Sequence, residues 1–320
     1  MSNYHWYLKH AIHFDKSDVL LKFYWDPVQP YVAHYLRFGG LYGRIQFIAD
    51  IYVSGSLSVN NPATVAVVDG NMLKLTPFRF QNVPPPMSSL TLELSNTISH
   101  VSFLASGNGD NICIHTNDGK LSFFESQIKC HKSIQIPSFL GSLQLPDLDT
   151  IHYRQVIWVQ KDVIVAISYN RRELCDTVAI LYLEEENSNL TIRKKVHVCI
   201  ADHHLSRIHI GHMGEILVQS IAGTVIEIYD YSTADPRYVV RDTFPEFCPW
   251  FSSVPIENNE VLYVGMSDSN KLYLNQKLLS AECTSYFIHT HHLLFTTFSH
   301  KLCLMPLNSS YQGKFLISLS

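Results

Sequence analysis

Histidine is the residue type in this chain with the most potential for chemistry, because the chain has seventeen. His289, His291 and His292 form one candidate metal site in the sequence HTHH. On a β-strand the rings of His289 and His291 would point to one face, a spacing that suits a metal ion. His203 and His204 form a second candidate pair. Neither pair has a cysteine or a carboxylate at matching spacing. We therefore expect structural histidines and no metal site.

Nucleophilic catalysis would need a serine or cysteine in a distinctive turn with a base beside it. The sequence contains no G-x-S-x-G motif, and it has neither a phosphate-loop nor a dinucleotide-binding fingerprint. The acidic run Glu184-Glu185-Glu186 follows an apolar strand, and we interpret it as a solvated loop. We expect no catalytic residue, no cofactor and no enzyme activity. A hydrolase built on a β-propeller, the fold that is predicted below, is the second alternative function, after the RNA-binding module that follows.

Two basic clusters are candidate partner contacts: Arg171 with Arg172, and Arg193 with Lys194 and Lys195. The first lies in the turn of a predicted hairpin, and the second lies in the strand that follows. Such charges at the edge of a sheet discourage pairing with strands of other molecules. The functional interpretation is a docking surface for an acidic partner or a slight contact with an RNA backbone.

The overall charge argues against a dedicated nucleic-acid domain, which would normally have a clear excess of lysine and arginine. Here 24 Lys and Arg stand against 28 Asp and Glu, and only 16% of the residues are charged. This balance favours a protein-interaction domain. A single-stranded RNA-binding module is kept as the alternative function. No apolar run reaches the length of about 18 residues that suggests a membrane span, and the N-terminus does not have the pattern of a signal peptide.

The seven cysteines are widely spaced and mostly flanked by strand-like apolar residues. This pattern favours reduced, buried thiols over a disulfide framework or a zinc site, which needs paired ligands at close spacing. We expect a cytoplasmic protein, with the nucleus as an alternative location.

A hairpin pattern recurs along the chain and must position all of these residues. Seven segments combine a strand-type run, a turn and a second strand, and they begin at residues 31, 63, 111, 162, 215, 260 and 292. Their mean spacing of about 44 residues is that of four-stranded propeller blades of the WD-repeat type. A short apolar strand precedes most hairpins and a more polar strand often follows, which is the strand order of a blade.

The strand run from Val163 to Ile167 is apolar at every position, so both of its faces would be buried. Blades packed face to face explain this better than a two-sheet sandwich, in which one face of each sheet meets solvent. We predict an all-β fold, a seven-bladed WD-repeat-like β-propeller that forms a single domain over residues 1–320. Six or eight blades are the alternatives. Residues 1–14 are predicted to supply an outer strand that closes the last blade.

Several motifs resemble a known family. They are NYHWYLK at Asn3 to Lys9, WDP at Trp25 to Pro27, VAVVDGN at Val65 to Asn71 and VPPPM at Val83 to Met87. Together they are similar to the second N-terminal β-propeller of the largest subunit of the Elongator complex, the IKAP scaffold family.

The resemblance implies a scaffold role in a machine that modifies carbon 5 of wobble uridines in tRNA. It implies that the partners are the other Elongator subunits, including the catalytic subunit of radical S-adenosylmethionine and acetyltransferase type. It also implies that this chain contacts tRNA only indirectly or weakly, and that it has no membrane partner. The chain resembles one isolated domain of a longer scaffold protein.

Overall fold

A computed structural model describes residues 20–25, 32–37, 42–46, 51–53, 63–81, 83, 87–106, 110–126, 134–186, 189–200, 203–211, 214–231, 236–256, 260–289, 292–307 and 317–319. The described residues form 27 β-strands in seven antiparallel sheets, which we number in chain order. In the described part of the chain, no helix could span a membrane.

Sheet 1 has three strands and sheets 2 to 7 have four each. Sheet 1 contains β1 (Leu20–Trp25), β2 (Val32–Arg37) and β3 (Tyr42–Gln46). Sheet 2 contains β4 (Ile51–Val53), β5 (Thr64–Asp69), β6 (Met72–Pro77) and β7 (Leu90–Glu93). Sheet 3 contains β8 (Ile98–Phe103), β9 (Ile112–Thr116), β10 (Lys120–Glu125) and β11 (Ser138–Gln144). Sheet 4 contains β12 (Ile151–Gln160), β13 (Val163–Asn170), β14 (Cys175–Glu186) and β15 (Asn189–Cys199).

The remaining three sheets repeat the same order. Sheet 5 contains β16 (Leu205–Ile210), β17 (Ile216–Ser220), β18 (Thr224–Tyr229) and β19 (Arg237–Thr243). Sheet 6 contains β20 (Trp250–Pro255), β21 (Val261–Met266), β22 (Leu272–Leu274) and β23 (Lys277–Ser280). Sheet 7 contains β24 (Cys283–His289), β25 (His292–Thr297), β26 (Leu302–Pro306) and β27 (Ile317–Leu319).

Every hairpin predicted from the sequence is present as the second and third strand of one sheet. In sheet 4, for example, β13 pairs with β14 in one unbroken register from Asn170↔Cys175 to Val163↔Tyr182. Turn chemistry helps to place these hairpins, because Gly70, Gly119 and Gly223 have φ angles of 66°, 78° and 90°, which glycine adopts without steric cost. The predicted strands before and after the hairpins are also confirmed.

Consecutive sheets pack face to face from sheet 2 to sheet 7, because five buried apolar clusters each join two neighbouring sheets. Between sheets 3 and 4, the ring of Phe123 meets the ring of Trp158 edge-on at a centroid distance of 5.1 Å. The run from Val163 to Ile167 is buried throughout, and its alternate residues enter the clusters on opposite sides of sheet 4. Burial of both faces, as predicted, follows from this stacking.

Two expectations need correction or restriction. The acidic run Glu184-Glu185-Glu186 is not a loop, because it forms the end of β14 and pairs with residues 189–191 of β15. Residues 1–14 lie outside the described residues. The outer position of sheet 7 is occupied by β27, which pairs with β26 at Leu302↔Leu319, so the last sheet takes its fourth strand from the C-terminal segment.

Candidate interaction surface

In sheets 2 to 7, the turns between the second and third strands all lie at one end of the packed sheets. In an antiparallel meander of four strands, the second turn is at the end where the first strand begins and the fourth ends. The connections between consecutive sheets are therefore at the same end. We call this end the turn face and define it by the turns 70–71, 117–119, 171–174, 221–223, 268–270 and 298–300.

Backbone hydrogen bonds join the turns to these connections. The N–H of Ile98 donates to the carbonyl of Gly70 at 2.9 Å, and the N–H of Phe244 donates to the carbonyl of Gly223 at 3.0 Å. Comparable bonds link residues 117 to 97, 145 to 119, 171 to 150, 221 to 204, 283 to 270 and 298 to 282. Side-chain bonds span the two intervals that these backbone bonds leave, from the N–H of Leu205 to Asp176 at 2.8 Å and from the Ser269 hydroxyl to Glu246 at 3.1 Å. The turn face is thus a hydrogen-bonded layer across sheets 2 to 7, which gives it a defined shape.

Four of these turns share a sequence pattern that the sequence analysis did not identify. Each has serine or threonine, two variable residues, a residue with positive φ, and then lysine or threonine, at residues 116–120, 220–224, 267–271 and 297–301. The positive-φ residues are Gly119 (78°), Gly223 (90°), Asn270 (63°) and His300 (59°). The signal was present in the sequence as a repeated Ser/Thr-x-x-Gly/Asn spacing, but the weak turn residues Ser299 and His300 concealed it.

The serine or threonine closes each of these turns. In the turn at 267–271, the N–H of Asn270 donates to the carbonyl of Ser267 at 3.0 Å, and the N–H of Lys271 donates to the Ser267 hydroxyl at 3.3 Å. Thr297 makes the same two contacts with His300 and Lys301 at 3.0 and 3.3 Å. Local side-chain to backbone bonds of this kind fix the turn conformation.

Carboxylates at the turn face have ordered partners. Glu246 accepts a hydrogen bond from the Tyr273 hydroxyl at 2.7 Å, and it lies 3.3 Å from the Lys271 ammonium. Burial opposes its ionisation, but hydrogen bonds from Tyr273, Ser267, Ser269 and Lys271 outweigh burial, so the pKa of Glu246 lies below its ordinary value. The negative charge of Glu246 is therefore paired with neighbouring donors and stabilises the structure.

Apolar side chains project from three of the turns. Leu174, Ile221 and Phe298 expose 70%, 58% and 58% of their surface. Single exposed apolar residues are common on protein surfaces, but these three occupy comparable turns of sheets 4, 5 and 7. Leu174 also has a φ of 55°, a conformation that costs a leucine about 1–2 kcal/mol and that glycine would adopt freely. Residues in strained backbone conformations cluster at functional sites, so Leu174 is a candidate binding residue.

The basic residues predicted as partner contacts lie on sheet 4. Arg171 and Arg172 are exposed in the turn that ends at Leu174, so they belong to the turn face. Arg193, Lys194 and Lys195 lie on β15, the outer strand of the sheet. The two clusters are therefore on one sheet but in different settings, a turn and an edge strand.

The three residues on β15 differ in their surroundings. Arg193 sits at a register shift, where Tyr182 pairs with Lys194 and Leu183 pairs with Ile192. Lys194 places its ammonium 5.5 Å from the centre of the Tyr182 ring. Lys195 donates a hydrogen bond to Asp147, and this bond and its charge hold the pKa of Asp147 below the ordinary range. A bulge and charges on an outer strand fit protection of a sheet edge.

The histidine candidates for a metal site lie at two places in the structure. His289 ends β24 and pairs with His292 at the start of β25, whereas His291 lies outside the described residues. His203 and His204 are in the connection between sheets 4 and 5. Among the residues that the structure describes, no group of three or more His, Cys, Asp or Glu side chains is placed to hold a metal ion.

Comparison with known proteins decides the family. Residues 67–317 match the family described as ELP1 N-terminal second beta-propeller. The chain belongs to this family. The resemblance inferred from the motifs is therefore confirmed, and the all-β propeller fold of the ELP1 second-propeller family agrees with the packed four-stranded sheets.

Curated relatives cover nearly all of this chain. Putative elongator complex protein 1 of Xenopus laevis is 25% identical over 333 residues, which is 94% of this chain and 28% of that protein. Elongator complex protein 1 of Mus musculus is 25% identical over 97% of this chain and 26% of its own length. The Schizosaccharomyces pombe protein of the same name is 24% identical over 96% of this chain and 23% of its length. The chain thus spans about a quarter of the length of these relatives.

Proposed function

We propose that this chain is a non-catalytic scaffold domain of an Elongator-type complex, in which it supports modification of wobble uridines at carbon 5 in tRNA. The match of residues 67–317 to the ELP1 second-propeller family carries the proposal. We further propose a single seven-bladed domain over residues 1–320, with each of the seven sheets as one blade. The protein would act in the cytoplasm and contact tRNA indirectly.

The turn face is the surface that we assign to partner binding, and the occupant is another subunit of the complex. Its backbone is held by the hydrogen bonds between turns and connections, so binding would order little of it. The exposed side chains of Leu174, Ile221 and Phe298 offer apolar area that becomes buried on assembly. Arg171 and Arg172 supply positive charge beside Leu174 and favour an acidic region on the partner.

The substitution Leu174→Gly tests this assignment, because binding and folding should respond in opposite directions. Glycine relieves the positive φ at this position, so the free energy of unfolding should stay the same or rise by up to about 1 kcal/mol. The loss of an exposed apolar contact should weaken assembly. The turn-face triple variant combines Leu174→Gly with Ile221→Ser and Phe298→Ser. In affinity purification of the reconstituted complex through the complete scaffold protein, this variant should recover the other subunits at least several-fold less well.

The matched control carries Tyr238→Ser and Leu278→Ser, which remove exposed apolar side chains from the outer strands β19 and β23. We expect this control to assemble normally and to support wild-type amounts of modified wobble uridine, measured by mass spectrometry of tRNA nucleosides. Full assembly of the turn-face triple variant would refute the assignment. Loss of assembly in the control to the same extent would also refute it.

The alternative function, a single-stranded RNA-binding module, predicts a different result for the basic residues of β15. Arg193→Glu with Lys195→Glu reverses charge on β15 and removes the bond from Lys195 to Asp147, but it changes none of the residues that define the turn face. If these residues only protect the sheet edge, assembly and tRNA affinity of the complex should be unchanged. A large loss of tRNA affinity that depends on salt concentration would favour direct RNA contact.

A further inference from the structure

Two cysteines that are far apart in the sequence are neighbours in sheet 4. Cys175 begins β14 and Cys199 ends β15. In the register of these strands Thr177 pairs with Cys199, so Cys175 lies diagonally across from Cys199 on the same face. The neighbouring Cys199 thiol contributes to the raised pKa of Cys175, as expected of two sulfur atoms that are close together. This proximity was not expected from the sequence, in which 23 residues separate them.

These two thiols are accessible, unlike the other described cysteines. Cys199 is exposed and Cys175 is half-buried, whereas Cys113, Cys248, Cys283 and Cys303 are buried. The prediction of buried thiols is therefore wrong for Cys175 and Cys199, because the outer strand β15 and the end of the 171–174 turn leave this corner of the sheet open. A reagent in solution can reach this pair selectively.

The surroundings give the two sulfur atoms different roles. The Cys175 thiol donates to the Glu173 carboxylate at 3.7 Å. Burial raises the pKa of Cys175 to about 11, with further contributions from Cys199 and Glu173. Cys175 therefore stays protonated near neutral pH, and its proton has a carboxylate acceptor beside it. Cys199 is the more exposed sulfur and the first to meet a reagent.

We propose that Cys175 and Cys199 form a reversible dithiol site that is oxidised to a disulfide by low-molecular-weight disulfides such as oxidised glutathione. The Cys199 thiolate attacks the glutathione disulfide, forms a mixed disulfide and releases one glutathione. The glutathione thiolate released in the first step takes up the proton of Cys175, and the Cys175 sulfur attacks the Cys199 sulfur, which forms the protein disulfide and releases the second glutathione. Two thiols are oxidised and one glutathione disulfide is reduced to two thiols.

The disulfide would join the two strands at the base of the turn that carries Arg171, Arg172 and Leu174. Disulfides in reducing compartments are typically transient and regulatory, which fits an exposed pair of this kind. The site does not depend on the proposed scaffold role, since it rests on the geometry of sheet 4.

The test exposes the folded chain to mixtures of oxidised and reduced glutathione, followed by alkylation and peptide mass spectrometry. We expect one linked pair of peptides, which contain Cys175 and Cys199 and have lost two hydrogen atoms, with full reversal by dithiothreitol. The buried Cys113 is the internal reference and should remain unoxidised. If Cys175 and Cys199 stay reduced up to the oxidant level at which Cys113 reacts, the proposal is wrong.

Single substitutions test the order of the two steps. Cys175→Ser removes the second thiol, so the mixed disulfide with glutathione should accumulate on Cys199. Cys199→Ser removes the first, and Cys175 should then acquire glutathione at least several-fold more slowly. Equal rates of glutathione addition in the two variants would overturn the assigned roles. Circular dichroism of both variants verifies that they are folded, and serine is close to cysteine in size.

Discussion

Gly223→Ala is the substitution for which the structure predicts the largest effect from one methyl group on the turn face. Gly223 has a φ of 90°, and a Cβ atom built there would lie 2.6 Å from the carbonyl oxygen of Phe244 and 2.8 Å from that of Glu246. Both obstacles are backbone atoms, so they cannot move aside as a flexible side chain could. The turn and the connection between sheets 5 and 6 must separate.

The expected cost has two parts. Placing alanine at positive φ costs about 1 kcal/mol. Separation also breaks the bond from the N–H of Phe244 to the carbonyl of Gly223, now 3.0 Å long, and Phe244 is buried. Loss of a buried hydrogen bond costs about 1–3 kcal/mol. We therefore expect Gly223→Ala to lower the free energy of unfolding by about 2–4 kcal/mol.

Gly214→Ala is a matched control, because Gly214 has a φ of 84° and an added Cβ would meet no other described atom within 4 Å. Only the conformational cost applies there, so we expect a loss of about 1 kcal/mol. Urea denaturation followed by circular dichroism measures both variants, and the difference between them isolates the close approach. Equal destabilisation of the two variants would refute the prediction, because it would show that the close packing of the turn against the connection adds nothing to the loss of unfolding free energy.

Two further predictions concern the core. Phe123→Ala should lower the free energy of unfolding by about 3–5 kcal/mol, because the ring is fully buried against Trp158, whereas Phe139→Ala at an exposed outer-strand site should cost less than about 1 kcal/mol in the same denaturation assay. Burial lowers the pKa of His100 to about 3 and that of His115 to about 4, against about 6.5 in the unfolded chain, so the unfolded chain binds more protons below pH 6.5. The stability contributed by these two histidines should therefore be complete above pH 6.5 and fall as the pH drops towards 4, by on the order of 2 kcal/mol per histidine at pH 5. His115→Gln should flatten this slope in urea titrations, and an unchanged slope would contradict the prediction.

Much of the local structure could be predicted from the sequence, because strand pairs joined by short turns depend on neighbouring residues. Asp69 with Gly70 and Asn117 to Gly119 are residue types that tolerate positive φ, and they lie in the turns of the hairpins β5–β6 and β9–β10. A strand as short as β4 (Ile51–Val53) has too few residues to show a pattern of its own. The charge of Glu184-Glu185-Glu186 is unusual in a strand and predicts a loop. In the structure these residues pair with β15, so the strand β14 continues to Glu186.

The candidate site could be predicted only in part. Arg171 and Arg172 were assigned to a turn, and Arg193, Lys194 and Lys195 to the following strand, and both placements are confirmed. Their role as partner contacts stays a prediction. The exposed apolar turn residues Leu174, Ile221 and Phe298 were missed, since an apolar residue in a sequence is ordinarily assigned to the core.

The sequence by itself determined the hairpins, their spacing of about 44 residues and, through its motifs, the family to which the chain belongs. These features are local, so short stretches of residue types and turn chemistry suffice to specify them. Only the tertiary structure decided that β27 fills the outer position of sheet 7, that the turns of six sheets form one hydrogen-bonded face, and that Cys175 lies diagonally across from Cys199. Those features depend on strand register and on the packing of one sheet against the next, which join residues that are distant in the chain.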